Sequence, residues 1–358
     1  MNSPLYFIVI YIIISLMSNK DLFQTIIEKT SSGEDVVLAT IISESGSSPR
    51  SSGAHIVVSE NGRVCGTIGG GKLEYSAVQI AQNAVKERKS LRKKYLLQPS
   101  EEVGMFCGGG VEVFFQYISA DDEKTLSLLQ KCVKYLEERD EDLWFFIELT
   151  DGNEWTMDFY GAGFPLTAIE LEDNDIKTLT KNKAFLREIN GRIIYSEIIS
   201  FSGKVFLFGA GHVVQALQPL LSSVDFRCVI FDNRPDFLNP NLFHGAYDLI
   251  AGDYEHISEK IQITEKDFIV VSTYDYDLPV LRQIINCDYA YLGLMGSKNK
   301  VALFKEKLSA EGVSREKLES MNAPIGLAIY SETPQEIAVS IAGELIRKRA
   351  ELRQGQCL

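Results

Sequence analysis

Hydrophobic periodicity in the first half of the chain alternates between helices and strands. Apolar residues recur at three- and four-residue spacing over 18–31, 72–89 and 121–138, which predicts three amphipathic helices. Mostly apolar segments, or segments in which apolar and polar residues alternate, predict strands. These strands are predicted at 36–43, 111–116, 143–150, 154–160 and 192–199. The mixture is typical of an α+β domain.

A hairpin is predicted at HIVVSENGRVCGTI, before the second helix. Asn61-Gly62 separates two runs rich in β-branched residues, and this dipeptide favours a type I′ turn. The segment from Gly66 to Lys72 fits the P-loop spacing G-x-x-x-x-G-K, but a P-loop next needs Ser or Thr, where this chain has Leu73. The missing hydroxyl and the preceding hairpin argue against nucleoside triphosphate chemistry.

The pattern changes at KVFLFGAGHVVQAL, where a continuous apolar strand runs directly into a glycine turn and a helix. Strands then recur at intervals of roughly 20 residues with helices between most of them, which predicts a doubly wound parallel sheet. These strands are predicted at 204–208, 226–231, 247–250, 268–272 and 289–293. The last helix begins at a capping box formed by Thr333 and Glu336, with Pro334 in its first turn.

Together these patterns predict an α/β protein, in which an α+β N-terminal domain precedes a Rossmann-like domain with a doubly wound parallel sheet. A chain of 358 residues exceeds what one core normally holds, so two domains are expected. We place them at 17–200 and 201–358, after an apolar extension at 1–16.

That extension contains Leu5 to Leu16, a segment that is nearly all apolar but too short to span a bilayer as a helix. Met17 begins a sequence typical of a soluble helix, so a start codon assigned too early is the preferred explanation. A membrane tether or signal segment is the alternative.

Charge and cysteine usage restrict the partners. The formal net charge of -13 argues against nucleic acid or an anionic membrane surface, because both require a basic face. The six cysteines are dispersed, with no C-x-x-C pair and no metal-ligand spacing to the four histidines. This usage favours a reducing cytoplasm over secretion. Small molecules or proteins remain as partners.

The first candidate site is the glycine turn of the Rossmann-like half. Gly209 and Gly211 occupy the first two glycine positions of the dinucleotide fingerprint, and Asp232 occupies the position of its acidic residue. Val214 replaces the third glycine, so either a nucleotide site or a turn kept only as scaffold fits the pattern. His212 begins the helix beside the ligand position and has no identifiable partner for acid-base chemistry.

The second candidate is the run of Gly69, Gly70 and Gly71 at the N-terminus of the predicted helix. Exposed amides and the positive end of the helix dipole suit an oxyanion such as a phosphate, and Lys72 follows directly. The alternative is that these glycines only permit tight backbone packing.

Two further turns have features of a binding site. Cys107 lies in GMFCGGG, where Gly108 and its neighbours give the sulfur little cover and several nearby amides, conditions that favour a reactive or metal-binding thiolate. Gly296 and Ser297 lie between a strand and a helix, at the edge where open α/β sheets bind ligands such as anions. Asp277 lies in the same class of loop and is an alternative helix cap.

Seven segments follow one another along the chain: GSSPRSSGA, GTIGGGKLE, CGGGVEVF, FLFGAGHV, FDNRPDF, YLGLMGSKNK and APIGLAIYSETPQEIAVSIAGELI. In this order they resemble the xanthine dehydrogenase accessory protein family, the XdhC/CoxI proteins. The likeness covers about residues 20 to 350, and the shared order makes it specific.

This resemblance implies a non-catalytic chaperone that carries molybdenum cofactor (molybdopterin) transiently. Such a protein supports sulfuration of the cofactor by a cysteine desulfurase and delivers it to a molybdenum hydroxylase of xanthine dehydrogenase type. The resemblance also implies that Cys107 is the soft ligand for molybdenum, and that the glycine run with Glu74 helps to form the pocket. A homodimer is the default oligomer.

Two other functions stay open. An NAD(P)-dependent oxidoreductase would bind its nucleotide in the Rossmann-like half, although Val214 argues against it. A docking factor would join desulfurase and hydroxylase without binding the cofactor. The chain also departs from many family members, since Tyr274 and Tyr276 replace histidines and Phe106 replaces a second cysteine. Roles that need an imidazole or a cysteine pair at these positions are not expected.

Overall fold

The structure, a computed structural model, describes residues 18–46, 51–97, 109–139, 141–150 and 154–353. The chain divides between Phe201 and Ser202 into two compact units. The helices within the described ranges are α1 (Asn19–Ser31), α2 (Gly71–Glu87), α3 (Glu123–Glu138), α4 (Asp173–Leu179), α5 (His212–Ser222), α6 (Asp277–Ile284), α7 (Lys298–Ala310), α8 (Arg315–Ser320) and α9 (Pro334–Arg353). In these same ranges no helix is long and apolar enough to cross a bilayer. The apolar extension at 1–16 lies outside them.

The first unit contains two antiparallel sheets. Its strands are β1 (Val36–Ser45), β2 (His55–Ser59), β3 (Gly62–Gly66), β4 (Leu91–Leu97), β5 (Gly109–Ile118), β6 (Leu143–Leu149), β7 (Trp155–Gly161), β8 (Phe185–Ile189) and β9 (Arg192–Ser200). The first sheet has the order β3-β2-β1-β5-β4, and the second has the order β7-β6-β9-β8.

Both faces of β1 are buried, which explains its almost continuous apolar sequence. Val37, Ala39 and Ile41 pack with α2, whereas Val36 and Leu38 pack in the core that α1, α3 and the second sheet share. The N-terminal α+β arrangement follows from this layering of helices on antiparallel sheets.

The predicted hairpin forms, but its turn differs from the prediction. Ser59 pairs with Gly62, so Glu60 and Asn61 make the connection. Gly62 has a φ of +117°, whereas Asn61 is not among the residues with a positive φ. A type I′ turn needs a positive φ at both central residues, so that turn type was wrong.

The basic stretch after α2 forms a strand that periodicity did not reveal. Helix α2 ends at Glu87 because Arg88 adopts the left-handed conformation, with a φ of +53°. The chain then enters β4, where Lys93 pairs with Val113 of β5. Consecutive cations in LRKKYLL hide the alternation of this edge strand, since an edge tolerates charge and often carries it.

A chain of buried polar groups connects the two sheets of the first unit. The Nδ1 atom of His55 lies 2.9 Å from the Thr40 hydroxyl, and its Nε2 atom lies 2.8 Å from Oε2 of Glu197. The Tyr195 hydroxyl donates to the same carboxylate oxygen at 2.7 Å. All four side chains are buried, so these bonds satisfy groups that would otherwise be costly in a core.

The second unit is a doubly wound sheet, as predicted. Its strands are β10 (Lys204–Phe208), β11 (Arg227–Asp232), β12 (Asp248–Ala251), β13 (Phe268–Val271) and β14 (Tyr291–Leu294). All the pairings are parallel and the order is β12-β11-β10-β13-β14. Helices α5 and α9 pack on one face, and α6 and α7 pack on the other. The strand order reverses between β10 and β13, which is where such sheets bind ligands.

The capping box that starts α9 is confirmed. The carboxylate of Glu336 accepts a hydrogen bond from the Thr333 amide at 2.9 Å, and the Thr333 hydroxyl accepts from the Glu336 amide at 3.2 Å. Pro334 is the first helical residue, where its missing N–H costs nothing.

Candidate functional site

The two glycines of the turn after β10 differ in the space around them. A Cβ added to Gly209, which has a φ of +105°, would lie 2.3 Å from the carbonyl oxygen of Ser272. Only glycine permits that close approach of the β10 and β13 ends. Gly211 is the N-cap of α5, and a Cβ there would meet nothing within 4 Å. Gly209 therefore holds the sheet edge together, while Gly211 leaves room for a ligand.

Asp232, predicted as the acidic residue of the fingerprint, is fully buried and already has partners. Its carboxylate accepts from the Ala210 amide at 2.7 Å and from Nε and Nη2 of Arg234, each at 2.8 Å. Burial alone would raise the pKa of Asp232, but the hydrogen bonds from Arg234 and Ala210 hold it below its usual value. The carboxylate is thus ionised and locked into the glycine turn.

The residues that follow this turn differ in accessibility. His212 is exposed at the start of α5 and has no hydrogen-bond partner within the described ranges. Val214 is fully buried and packs with Leu217 in the core under the sheet. A side chain is therefore accommodated where the fingerprint has its third glycine, and no acid-base pair forms around His212 in the part of the chain that the structure describes.

Lys300 ties together the loops that follow β13 and β14. Its Nζ atom donates to Oδ2 of Asp277 and, at 3.1 Å, to the carbonyl oxygen of Tyr274. The other oxygen of Asp277 accepts from the amide and the hydroxyl of Thr273, both at 2.7 Å. Only 1% of the Asp277 side chain is exposed. Asp277 therefore binds Thr273, which precedes it in the same loop, and does not cap α6.

Gly296 and Ser297 lie at the next position along the same edge. The Ser297 hydroxyl caps α7 by accepting from the Lys300 amide at 3.3 Å. A Cβ on Gly296 would lie 3.2 Å from Cδ of Lys300. These two residues form one rim of the edge, and the Ser297 hydroxyl already acts as a helix cap.

Two tyrosines replace the histidines that the family resemblance leads one to expect. Tyr274 is 83% exposed and has a φ of +71°, which is strained for a residue other than glycine. Tyr276 stacks on Tyr254, with 5.1 Å between ring centroids. The edge is thus lined by aromatic rings near the strand-order reversal.

In the first unit, Glu74 organises the glycine run. Its Oε2 atom accepts from the Thr67 hydroxyl at 2.5 Å and from the amides of Ile68 and Gly70 at 3.0 and 3.1 Å. Its other oxygen binds Arg63 at 2.7 Å. Burial alone would raise the pKa of Glu74, but these hydrogen bonds keep it below its usual value. The amide of Gly70 is therefore occupied by a carboxylate of the chain itself, which corrects the expectation of an exposed amide there.

The other two glycines of this run are accessible, although the Gly69 amide also donates to the Thr67 hydroxyl, at 3.3 Å. Gly69 and Gly71 are exposed, with φ values of +116° and +62°. A Cβ on Gly70 or Gly71 would meet nothing within 4 Å. Leu73, at the position where a P-loop has its hydroxyl, is buried. The run is thus a preformed turn with open space outside it.

The structure brings Gly209, Gly211 and Asp232 together at one edge, and Gly296 and Ser297 lie further along that edge. Cys107 and Gly108 lie outside the described residues, so their roles stay predictions. Among the residues that are described, no group of three or more His, Cys, Asp or Glu side chains is arranged to hold a metal. Arg234 and Lys300 were missed. Arg234 stands in the quoted FDNRPDF segment, but its pairing with an acid two residues away needs the tertiary structure.

Comparison with known proteins decides the family. The model described as the XdhC and CoxI family matches residues 30–95, and the model described as the XdhC Rossmann domain matches residues 205–345. The chain belongs to the XdhC and CoxI family. The glycine run with Glu74 lies in the first matched range, and the edge residues of the parallel sheet lie in the second.

Three relatives align over most of the chain. YqeB of Escherichia coli strain K12, described as uncharacterized, is 25% identical over 87% of this chain, which spans only 43% of YqeB. A protein of Bacillus subtilis strain 168, named as a probable xanthine dehydrogenase subunit, is 25% identical, with 88% of this chain and 94% of the relative covered. The molybdenum cofactor insertion chaperone PaoD of E. coli K12 is 23% identical, with 93% and 89% covered.

A crystal structure described as a xanthine dehydrogenase from Bacillus halodurans has the same fold. The TM-score is 0.77 at 24% identity, and the match covers 95% of this chain and 98% of that chain. At this level of identity, the likeness establishes the fold alone.

Proposed function

We propose that this protein is an accessory chaperone that binds molybdenum cofactor, supports its sulfuration and delivers it to a molybdenum hydroxylase of xanthine dehydrogenase type. Membership of the XdhC and CoxI family supports a role in xanthine dehydrogenase maturation. The relative named as a molybdenum cofactor insertion chaperone, which aligns over 93% of this chain, supports the cofactor as cargo. The B. subtilis relative, whose name refers to xanthine dehydrogenase, supports the type of target enzyme.

The observation that carries the proposal is the paired carboxylate at the edge of the parallel sheet. In a dinucleotide-binding sheet, the acid at this position accepts hydrogen bonds from the ribose hydroxyls. Here Arg234 and the Ala210 amide already occupy the carboxylate of Asp232. The first amides of α5 have no partner within their helix, and Gly211 beside them has open space. The edge of the sheet thus offers amide donors to an anion but no free carboxylate to the hydroxyls of a ribose. This combination favours carriage of a phosphorylated pterin over an NAD(P)-dependent oxidoreductase.

The residues have distinct roles in this proposal. Gly211 and His212 face the phosphate of the cargo, Gly209 fixes the turn, and Gly296 and Ser297 form the far rim. The exposed N-terminal amides of a helix bind such a group well.

In the first unit, Cys107 supplies a soft thiolate to molybdenum and Gly108 gives that thiolate room. The run of Gly69, Gly70 and Gly71 shapes the pocket, and Glu74 acts indirectly by holding this turn. The proposed protein partners are a cysteine desulfurase, which provides the sulfur, and the hydroxylase, which receives the finished cofactor.

The proposal is tested by purifying the full chain from a host that makes the cofactor, oxidising it and measuring the fluorescence of the released pterin. Wild type should release pterin, and Cys107→Ala should not. Cys287→Ala is the control, because it removes a half-buried thiol with no proposed role. Undiminished pterin in Cys107→Ala would remove Cys107 from the site.

A second measurement separates the alternatives. Thermal unfolding is followed with NAD(H), NADP(H) and molybdopterin in parallel, because a ligand that binds the native state raises its melting temperature. Stabilisation by a nicotinamide nucleotide alone would replace the proposal with the oxidoreductase. Co-purification with the hydroxylase, but without pterin and without stabilisation by any of these ligands, would support the docking factor instead.

A further inference from the structure

A cleft in the first unit is lined by none of the described site residues discussed so far. Its volume is about 670 Å³, within the range of roughly 300–1,000 Å³ that small-molecule sites occupy. One wall is α3, and the opposite wall is the start of β7 with the segment around Thr167. The floor is formed where α2 gives way to β4 beside β5. Helix α2 carries Gly71 and Glu74 of the proposed cofactor site, but neither residue lines the cleft.

Hydrogen bonds fix the floor of the cleft. The buried Ser90 hydroxyl accepts from the Tyr117 amide at 3.0 Å and from Nε1 of Trp155 at 2.8 Å. The Tyr117 hydroxyl donates to Asp35 at 2.6 Å. Two aromatic side chains, of Tyr117 and Trp155, therefore line the cleft in positions set by these bonds, and the buried Met157 packs beside them.

The far wall is held by a buried acid. The carboxylate of Asp158, which is fully buried, accepts from the amides of Thr167 and Ile169 at 2.6 and 3.0 Å. This clamp places Thr167 at the cleft. The far wall is thus preformed, as is the wall made by the helix α3. Binding here would not require the segment around Thr167 to be ordered first.

Charge in the cleft is opposite in sign to charge on the whole chain. Four cations border it, Arg88, Lys89, Lys124 and Lys131, against two acids, Asp122 and Glu154. Asp122 is the N-cap of α3 and accepts from the Thr125 amide.

Two of these cations have no compensating acid. Lys124 and Lys131 are seven residues apart on one side of α3, and neither forms an ion pair with any residue in the described ranges. The positive end of the α3 dipole adds to their field. In a protein of net charge -13, this local excess of unpaired cations favours an anionic ligand.

Backbone strain marks the same place. Arg88 has a φ of +53° and a ψ of +46°, a left-handed conformation that glycine adopts without penalty. The chain keeps an arginine there, and its guanidinium lies 3.4 Å from Asp35 at the border of the cleft. A left-handed residue commonly ends a helix, and here it turns the chain from α2 into β4 at the border of the cleft.

We propose that this cleft binds a phosphorylated heterocycle, such as a nucleoside monophosphate. The phosphate lies between Lys124 and Lys131 of α3 and the basic segment of Arg88 and Lys89, and the ring packs against Trp155. No described residue of the proposed cofactor site lines this cleft, and the tests below use variants and ligands other than those of the pterin measurement, so the two sets of experiments succeed or fail independently.

The test uses intrinsic fluorescence of the full chain, which has two tryptophans, Trp144 and Trp155. Titration with GMP should change the emission in a saturable way. The change should persist in Trp144→Phe and disappear in Trp155→Phe. Guanosine, which lacks the phosphate, should bind at least about tenfold more weakly, because it loses the charge-assisted hydrogen bonds.

Calorimetry with GMP tests the lysines directly. Lys124→Gln/Lys131→Gln should weaken binding by about tenfold or more. Lys134→Gln is the matched control, because this lysine of α3 is exposed and does not border the cleft. GMP that shows no saturable binding by either method would overturn the proposal. Equal affinities for GMP and guanosine, or equal losses in the double variant and the control, would overturn it as well.

Discussion

At the scale of single residues, the same residue type performs different tasks at this site. Gly209 is required because the Ser272 carbonyl leaves no room for a Cβ, whereas Gly211 has open space around it. Both belong to the same fingerprint in the sequence. The identity of a glycine shows that a special backbone position exists, and only the neighbours show whether packing or a ligand requires it.

These two glycines give a matched pair of substitutions. Gly209→Ala should lower the free energy of unfolding by roughly 2–4 kcal/mol, because it adds both backbone strain and a clash. Gly211→Ala should cost about 1 kcal/mol or less, as a poorer N-cap without a clash. Urea unfolding measures both. Equal losses would show that the two positions do not differ in the way the structure indicates. If Gly211 faces the cargo, Gly211→Ala should also reduce the pterin that co-purifies.

Glu74 and Asp232, also at the scale of single residues, both hold a glycine turn in place. Each carboxylate binds back to the amides of a glycine turn that precedes it in the chain, in place of an external anion. The two turns are therefore rigid before any ligand arrives. Such preorganisation reduces the entropic cost of binding.

At the scale of elements, the contacts that define the candidate site lie at the ends of helices and strands. Several of the described helices begin at side-chain caps, namely Ser18, Asp122, Ser297 and Thr333. Two strand-end loops of the parallel sheet are joined by Lys300 and Asp277. This ion pair keeps the loops after β13 and β14 in one arrangement, which defines the rim of the candidate site.

Removing Lys300 should therefore weaken the second unit. Lys300→Met leaves the carboxylate of Asp277 buried without its cation, and we expect a loss of about 2 kcal/mol. This is below the roughly 3–5 kcal/mol of a fully buried pair, because Lys300 is partly exposed. The double variant Lys300→Met/Asp277→Asn should lose less than the two single losses combined. Lys298→Met, an exposed neighbour, serves as the control, and strict additivity in the cycle would contradict the coupling.

At the scale of the whole molecule, acidic groups with lowered pKa occur in both units. Burial on its own would raise the pKa of Asp35, of Glu74 and of Asp232, but hydrogen bonds and nearby arginines lower it in each case. A carboxylate with a depressed folded-state pKa stabilises the fold above its ordinary pKa, and this stabilisation disappears as the pH falls through the folded-state value.

The free energy contributed by these groups should therefore be constant above about pH 5 and should decrease below about pH 4. Urea unfolding over a pH series measures this. Asp232→Asn should be less stable near neutrality but should lose less stability on acidification. Asp236→Asn, which neutralises an exposed carboxylate nearby, should keep the wild-type profile. An Asp232→Asn profile parallel to wild type would show that this carboxylate does not contribute.

The sequence by itself determined the elements with strong periodicity or strong end signals. These are α1 to α3, the five parallel strands, the glycine turn after β10 and the capping box of α9, and they led to the α/β fold class, whereas the family resemblance came from seven segments in a shared order. Such signals are local, because helix and strand periods and caps depend on residues a few positions apart. The basic edge strand β4 was missed, since its charges hide the alternation.

Only the tertiary structure decided how the candidate residues are used. Backbone paths and strand order determine three sets of contacts. These are the hydrogen bonds of Asp232 with Arg234 and Ala210, the hydrogen bonds of Glu74 with amides of its own turn, and the ion pair between Lys300 and Asp277. The cleft beside Trp155 likewise joins segments up to about 80 residues apart in the sequence. The reason is physical: a carboxylate binds whichever donors the fold brings within about 3 Å, and hydrophobic patterning does not encode which donors those are.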